Sequence, residues 1–99
     1  MLKPEKPVIV VKGQDVTVTC ESEGVQVTKL QWKKQTDSGE VSVPEDIVTI
    51  IKDSSTNRVR AVLNITNVQV DDGGVYKCVL RVFEKTAYRF TRIKIDNNQ

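Results

Sequence analysis

Histidine is absent from this 99-residue chain, and cysteine occurs only twice. Without histidine there is no neutral-pH general base of the usual kind and no histidine-dependent catalytic triad. Two cysteines, Cys20 and Cys78, are enough for one disulfide and too few for the four side-chain ligands of a structural zinc site, so no metal or cofactor is expected. No apolar run approaches the roughly 20 residues that cross a bilayer, which argues against direct membrane insertion. The first residues, Met1 to Pro7, are polar, so no signal peptide is expected within the chain. The chain therefore reads as a module of a longer protein, whose other parts would carry any leader or anchor. Strong charge of one sign is missing too: the net charge is +2, whereas nucleic-acid binding is usually marked by a concentrated basic stripe. Nucleic acid is not an expected partner.

What remains is a chain with 38% hydrophobic and 28% charged residues, ordinary for one folded unit. A second core of useful size does not fit in this length, so residues 1–99 are expected to form a single domain with linker-like ends at 1–6 and 96–99. Valine, isoleucine and threonine dominate, and apolar residues alternate with period two. Val8 to Val11 is a short apolar run after Pro4 and Pro7, which suit an edge strand. Val16, Val18 and Cys20 alternate with Thr17, Thr19 and Glu21, and Leu30 and Trp32 with Lys29, Gln31 and Lys33. Glu40 to Val43 reads as a short strand ended by Pro44, and Ile47 to Lys52 as a β-branched one. Ala61, Leu63 and Ile65 point one way; Tyr76, Cys78 and Leu80 alternate with Lys77, Val79 and Arg81; a last strand covers about Tyr88 to Ile95. Many short strands separated by turn signals predict an antiparallel sandwich or barrel.

Four elements in order then carry a more specific signal: Cys20, Trp32 twelve positions on, Leu63-x-Ile65, and the string from Asp72 through Gly74 and Tyr76 to Cys78. Together these resemble the immunoglobulin superfamily, the last string matching its D-x-G-x-Y-x-C pattern, over essentially the whole chain. The cysteines are 58 positions apart and the interval from Trp32 to Leu63 leaves room for one short extra strand, which resembles the intermediate (I-set) type most closely. The resemblance implies an all-β Greek-key sandwich of two antiparallel sheets with a Cys20–Cys78 bridge and Trp32 covering it. It also implies a tyrosine corner in which the Tyr76 hydroxyl bonds backbone near Asp72, with Gly74 letting that turn approach closely. Leu63, Asp72 and Gly74 belong to the same structural frame. The function it implies is non-catalytic protein binding or adhesion, as one extracellular domain of a cell-surface receptor or adhesion molecule. The alternative is an intracellular filament module with a mechanical or scaffolding role.

The residues support no enzyme reading. Adjacent Asp71 and Asp72 in a turn point apart, and Gly73-Gly74 leads into a strand rather than a helix, so it is no phosphate cradle. Asn64-Ile65-Thr66 is an N-glycosylation sequon, and alternation puts Asn64 on the solvent side of its strand. An odd number of principal strands predicts ends at opposite poles, as in a rod of neighbouring immunoglobulin-like domains.

The expected ligand surface is the outer face of the strands lettered C, F and G in the family. Pairing the last two strands through a four-residue loop, Glu84 to Ala87, sets Phe83 opposite Tyr88, Arg81 opposite Phe90, Val79 opposite Arg92 and Lys77 opposite Lys94. A one-residue slip would bury Arg92 and Lys94, which disfavours it. The face then carries Lys29, Lys33, Lys77, Arg81, Arg92 and Lys94 without an acidic side chain on these three strands. The aromatics Phe83, Tyr88 and Phe90 cluster at one end. Its expected partner is an acidic protein surface or a sulfated glycan.

Overall fold

A computed structural model describes residues 7–22 and 29–96. Its strands are β1 (Val8–Val11), β2 (Val16–Ser22), β3 (Lys29–Thr36), β4 (Gly39–Ser42), β5 (Val48–Asp53), β6 (Arg58–Ile65), β7 (Gly74–Val82) and β8 (Lys85–Asp96). Helix among the described residues is limited to two single 3-10 turns, Glu45–Ile47 and Val70–Asp72. One sheet has the order β1-β8-β7-β3-β4 and the other β2-β6-β5, the sandwich expected from the sequence. β4 is the one short extra strand, laid on the free edge of β3.

One pair departs from the antiparallel expectation: β1 runs parallel to β8, with Val8 opposite Ile93 and Val11 opposite Asp96. The cause lies in the turn after β1. Gly13 has φ 93°, and its N–H donates to the Val68 carbonyl at 2.8 Å while Val68 returns a bond to Gln14, so the chain crosses to the other sheet instead of folding back. The first and last described strands consequently run in the same direction. The linker-like ends 1–6 and 97–99, Pro4 among them, lie outside the described residues. Asp96, expected in the tail, instead closes β8, and its carbonyl accepts from the Lys12 N–H at 3.0 Å.

Alternation delivers the core. Val16, Val18 and Cys20 on β2 and Ala61, Leu63 and Ile65 on β6 face Trp32, Tyr76, Cys78 and Ile93 across the sandwich, all buried. Cys20 and Cys78 are bonded. Trp32 lies directly beside Cys78 in the β3–β7 register, and its indole N–H crosses to the Ala61 carbonyl at 3.0 Å. The large ring thus fills the interior while its one polar atom is satisfied, as burial requires.

At the turn before β7, the Asp72 carboxylate accepts from the Gln69 N–H at 2.8 Å, and the Tyr76 hydroxyl donates to the Asp72 carbonyl at 2.6 Å. Burial and the Asp72 charge push the Tyr76 phenol up to about 12. The two glycines divide the work differently from the expectation. It is at Gly73 that the chain approaches closely, since a Cβ there would sit 3.2 Å from Ile95 and 3.3 Å from the Ile93 carbonyl. Gly74 has more room and is needed for its φ of 140°.

Candidate functional site

The outer face of the five-stranded sheet is set by the parity of its strands. Trp32, Cys78 and Ile93 point inward, so Lys29 and Lys33 on β3, Lys77 and Arg81 on β7, and Tyr88, Phe90, Arg92 and Lys94 on β8 point outward. Both faces of β8 therefore hold the residues that alternation assigned to them.

The pairing across the face is different from the expected one. β7 and β8 join through the two-residue turn Phe83-Glu84, with Val82 opposite Lys85. Tyr88 lies opposite Val79, Phe90 opposite Lys77, and Arg92 opposite Val75, whereas Arg81 faces Thr86. On the inner side Leu80 meets Ala87, Tyr76 meets Thr91, and Gly74 meets Ile93. Each residue of β8 is displaced by four positions along β7 relative to the longer-loop pairing. An even displacement keeps every side chain on its face, so alternation does not distinguish the two registers.

Phe83 leaves the strand altogether. It is the first residue of the turn, with φ 54° and 69% of its surface exposed. That backbone region is uncommon for a bulky residue, and two-residue hairpins favour glycine or asparagine there. The aromatic cluster is thus a pair rather than a trio: Tyr88 and Phe90, two apart on β8, 45% and 49% exposed.

Charge is also distributed differently. Lys77 is not opposite Lys94; Lys33 is its neighbour on β3, and the Glu40 carboxylate from β4 ion-pairs with Lys77 while lying 3.9 Å from the Lys33 ammonium. The added strand supplies an acid that β3, β7 and β8 lack at this point, offsetting the repulsion of two directly opposed lysines. Lys77 also stands over the Tyr88 ring, 4.4 Å from its centroid. Asp96 shares the outward parity of Lys94, at the far end of β8. Arg92 and Lys94 lie on one side of the aromatic pair, and Lys29 and Arg81 on the other.

The opposite face, on the three-stranded sheet, carries Thr17, Thr19, Thr49, Val62 and Asn64, then Ile51 opposite Arg60, with Arg58 and Glu21 joined at 3.0 Å near one end. Asn64 is exposed, and its amide oxygen accepts from the Thr17 hydroxyl at 3.2 Å. Among the described residues no group of three or more His, Cys, Asp or Glu side chains is arranged to hold a metal. Sequence reasoning missed Glu40 as a member of the basic face, because only the pairing of β4 with β3 brings it beside Lys33 and Lys77.

The chain and its fold are similar to known proteins. Human neogenin is 30% identical over 78 residues, an alignment that covers 79% of this chain and 5% of neogenin. The structure of the BTLA ectodomain superposes with a TM-score of 0.71 at 15% identity, covering 97% of this chain and 95% of that one. The I-band fragment I67-I69 from titin gives 0.66 at 23% identity, covering 97% of this chain and 32% of the fragment. The model of the immunoglobulin domain family matches residues 1–81, from before β1 to within β7, and β8 completes the sheet to which that stretch contributes β1, β3, β4 and most of β7. With the Cys20–Cys78 bridge, the buried Trp32 beside it and the Tyr76 corner all in one sandwich, this chain belongs to the immunoglobulin domain family.

Proposed function

We propose that this domain is a protein-binding module of a cell-surface receptor or adhesion molecule, and that it docks an acidic protein surface on the outer face of its five-stranded sheet. The observation that carries this reading is the exposure of Tyr88 and Phe90 at the middle of β8, flanked by Arg81, Arg92 and Lys94. Interface centres favour aromatic and arginine side chains, and such anchors carry most of the energy of a contact. Glu40 compensates the central lysines, so the aromatic pair supplies affinity and the flanking cations supply orientation and attraction at a distance.

The bridge supports a choice of compartment. Cytosolic thiols are kept reduced, so a bonded Cys20–Cys78 pair supports an extracellular setting within a membrane-anchored or secreted protein. The fold alone does not choose, since it is shared by the BTLA ectodomain and titin fragments. The common direction of β1 and β8 suits a domain strung between neighbours of the same kind.

Binding of the disulfide-bonded chain to an array of secreted and cell-surface ectodomains, with immobilised heparin as the sulfated-glycan control, tests the reading. Phe90→Ala and Arg92→Glu variants are each expected to weaken a true partner by about tenfold or more, with stronger binding at low salt. Partners that bind both variants as tightly as the parent, and are lost on Thr19→Lys, overturn the choice of face. Retention by heparin alone overturns the choice of a protein partner.

A further inference from the structure

We infer that Asn64 is an acceptor of N-linked glycan, placed so that the oligosaccharide covers the outer face of the three-stranded sheet and leaves the opposite face open. The inference rests on the proposed passage through the secretory compartment. Its local basis is independent of any partner.

The sequon has the required residue types, and the fold presents them correctly. Asn64 and Thr66 are exposed while the intervening Ile65 is buried, 7% accessible, so both reactive positions of the triplet lie on the solvent side of one strand end. Asn64 is on β6, the central strand of its sheet, opposite Thr17. The Thr17 hydroxyl engages the amide oxygen, whereas the atom that takes the sugar is the amide nitrogen. Around it the surface is made of Thr17, Thr19, Val62 and Thr49, short side chains without an aromatic or an ion pair at the attachment point. Attachment therefore displaces nothing in the core. A bulky, hydrated group on this face costs the fold little, and on the Tyr88–Phe90 face it would bury the proposed anchors.

In the reaction, the Asn64 amide nitrogen forms a bond to the anomeric carbon of an oligosaccharide carried on a polyprenyl diphosphate. The bond from that carbon to the diphosphate oxygen breaks, the diphosphate leaves with the electron pair, and the amide gives up one proton. No oxidant or reductant is involved. The glycan then extends from a sheet whose partner sheet carries the candidate binding face, on the other side of the core.

The test is expression of the whole chain behind a secretory leader in animal cells, with intact mass and peptide mapping of the secreted, disulfide-bonded product. The expected result is a product heavier by an N-linked oligosaccharide, released by peptide amidase with conversion of Asn64 to aspartate and uptake of heavy oxygen from labelled water. Asn64→Gln and Thr66→Ala variants are expected to lose the added mass and Thr66→Ser to keep it. A secreted, bridged parent at its unmodified mass overturns the site and leaves the proposed compartment standing. Reduced Cys20 and Cys78 in protein taken from its own cells overturn the compartment and the modification together.

Discussion

On the three-stranded sheet the outward side chains include Thr17, Thr19, Thr49, Val62 and Asn64, with Ile51, Arg60 and the Arg58–Glu21 pair towards one end; on the five-stranded sheet they include Tyr88, Phe90, Arg92 and Lys94 with Lys29, Arg81 and the Lys33–Glu40–Lys77 group. Both sets occupy equivalent positions, alternating with core residues on strands of the same kind. Folding places the same demand on each: fit a pleated surface and stay soluble. Threonines, Val62, a single half-exposed Ile51 and charged side chains meet it on one side, with no aromatic among them. Two half-exposed aromatics exceed it on the other, and apolar area left in water contributes nothing to the fold. The asymmetry between the faces is therefore informative about binding, and the inward residues, which are alike in character on both sheets, are not.

The largest perturbation of this comparison is to untie the two sheets. Replacing Cys20 and Cys78 together by alanine removes a link across 58 positions and is expected to lower stability by about 4 kcal/mol, measured by urea unfolding. A loss below about 1 kcal/mol would mean that Trp32, Leu63 and Ile93 hold the sheets together nearly unaided.

A smaller effect is expected at the corner that belongs to the five-stranded sheet only. Tyr76→Phe removes the bond to the Asp72 carbonyl and is expected to cost about 1 kcal/mol near neutral pH. The phenol is raised from 10.0 to about 12 in the folded chain because burial and the Asp72 charge disfavour the phenolate. Its contribution is therefore complete below pH 10 and is lost as pH rises through about 12. Unfolding curves across this window are expected to fall more steeply for the parent than for Tyr76→Phe; parallel curves would remove Tyr76 as the cause.

The smallest stability effects are expected on the outer faces, and they sharpen the contrast most. Phe90→Ala is expected to change stability by less than about 1 kcal/mol and Thr19→Ala by less than about 0.5 kcal/mol. If Phe90→Ala instead costs as much as a core truncation, its ring is structural and the asymmetry between faces loses its functional meaning.

The sequence was informative where a single strand decides the outcome. Alternation along Val16–Cys20, Ala61–Ile65 and Tyr76–Leu80 identified the inward residues, and the spacing of Cys20, Trp32 and Cys78 carried the family resemblance. The hairpin between β7 and β8 was less legible, because Phe83-Glu84 contains none of the glycine, asparagine or aspartate that marks a two-residue turn. The role of Glu40 was hidden for a related reason: it depends on which strand lies beside Lys33, and that strand comes from a different stretch of chain.

Sequence by itself thus determined which side of the strand the residues of the alternating segments occupy, as in β2, β6, β7 and β8, since that follows from a local period of two. Tertiary structure alone decided which residues become neighbours across strands. Both hairpin registers satisfy alternation, and the selected one brings Ile93 to Gly74 on one side and to Val8 of the parallel β1 on the other. Gly73 then accepts Ile95 where any Cβ would intrude. Those are long-range packing constraints, invisible to a period read along one strand, and they moved Phe90 from Arg81 to Lys77 and Phe83 off the face.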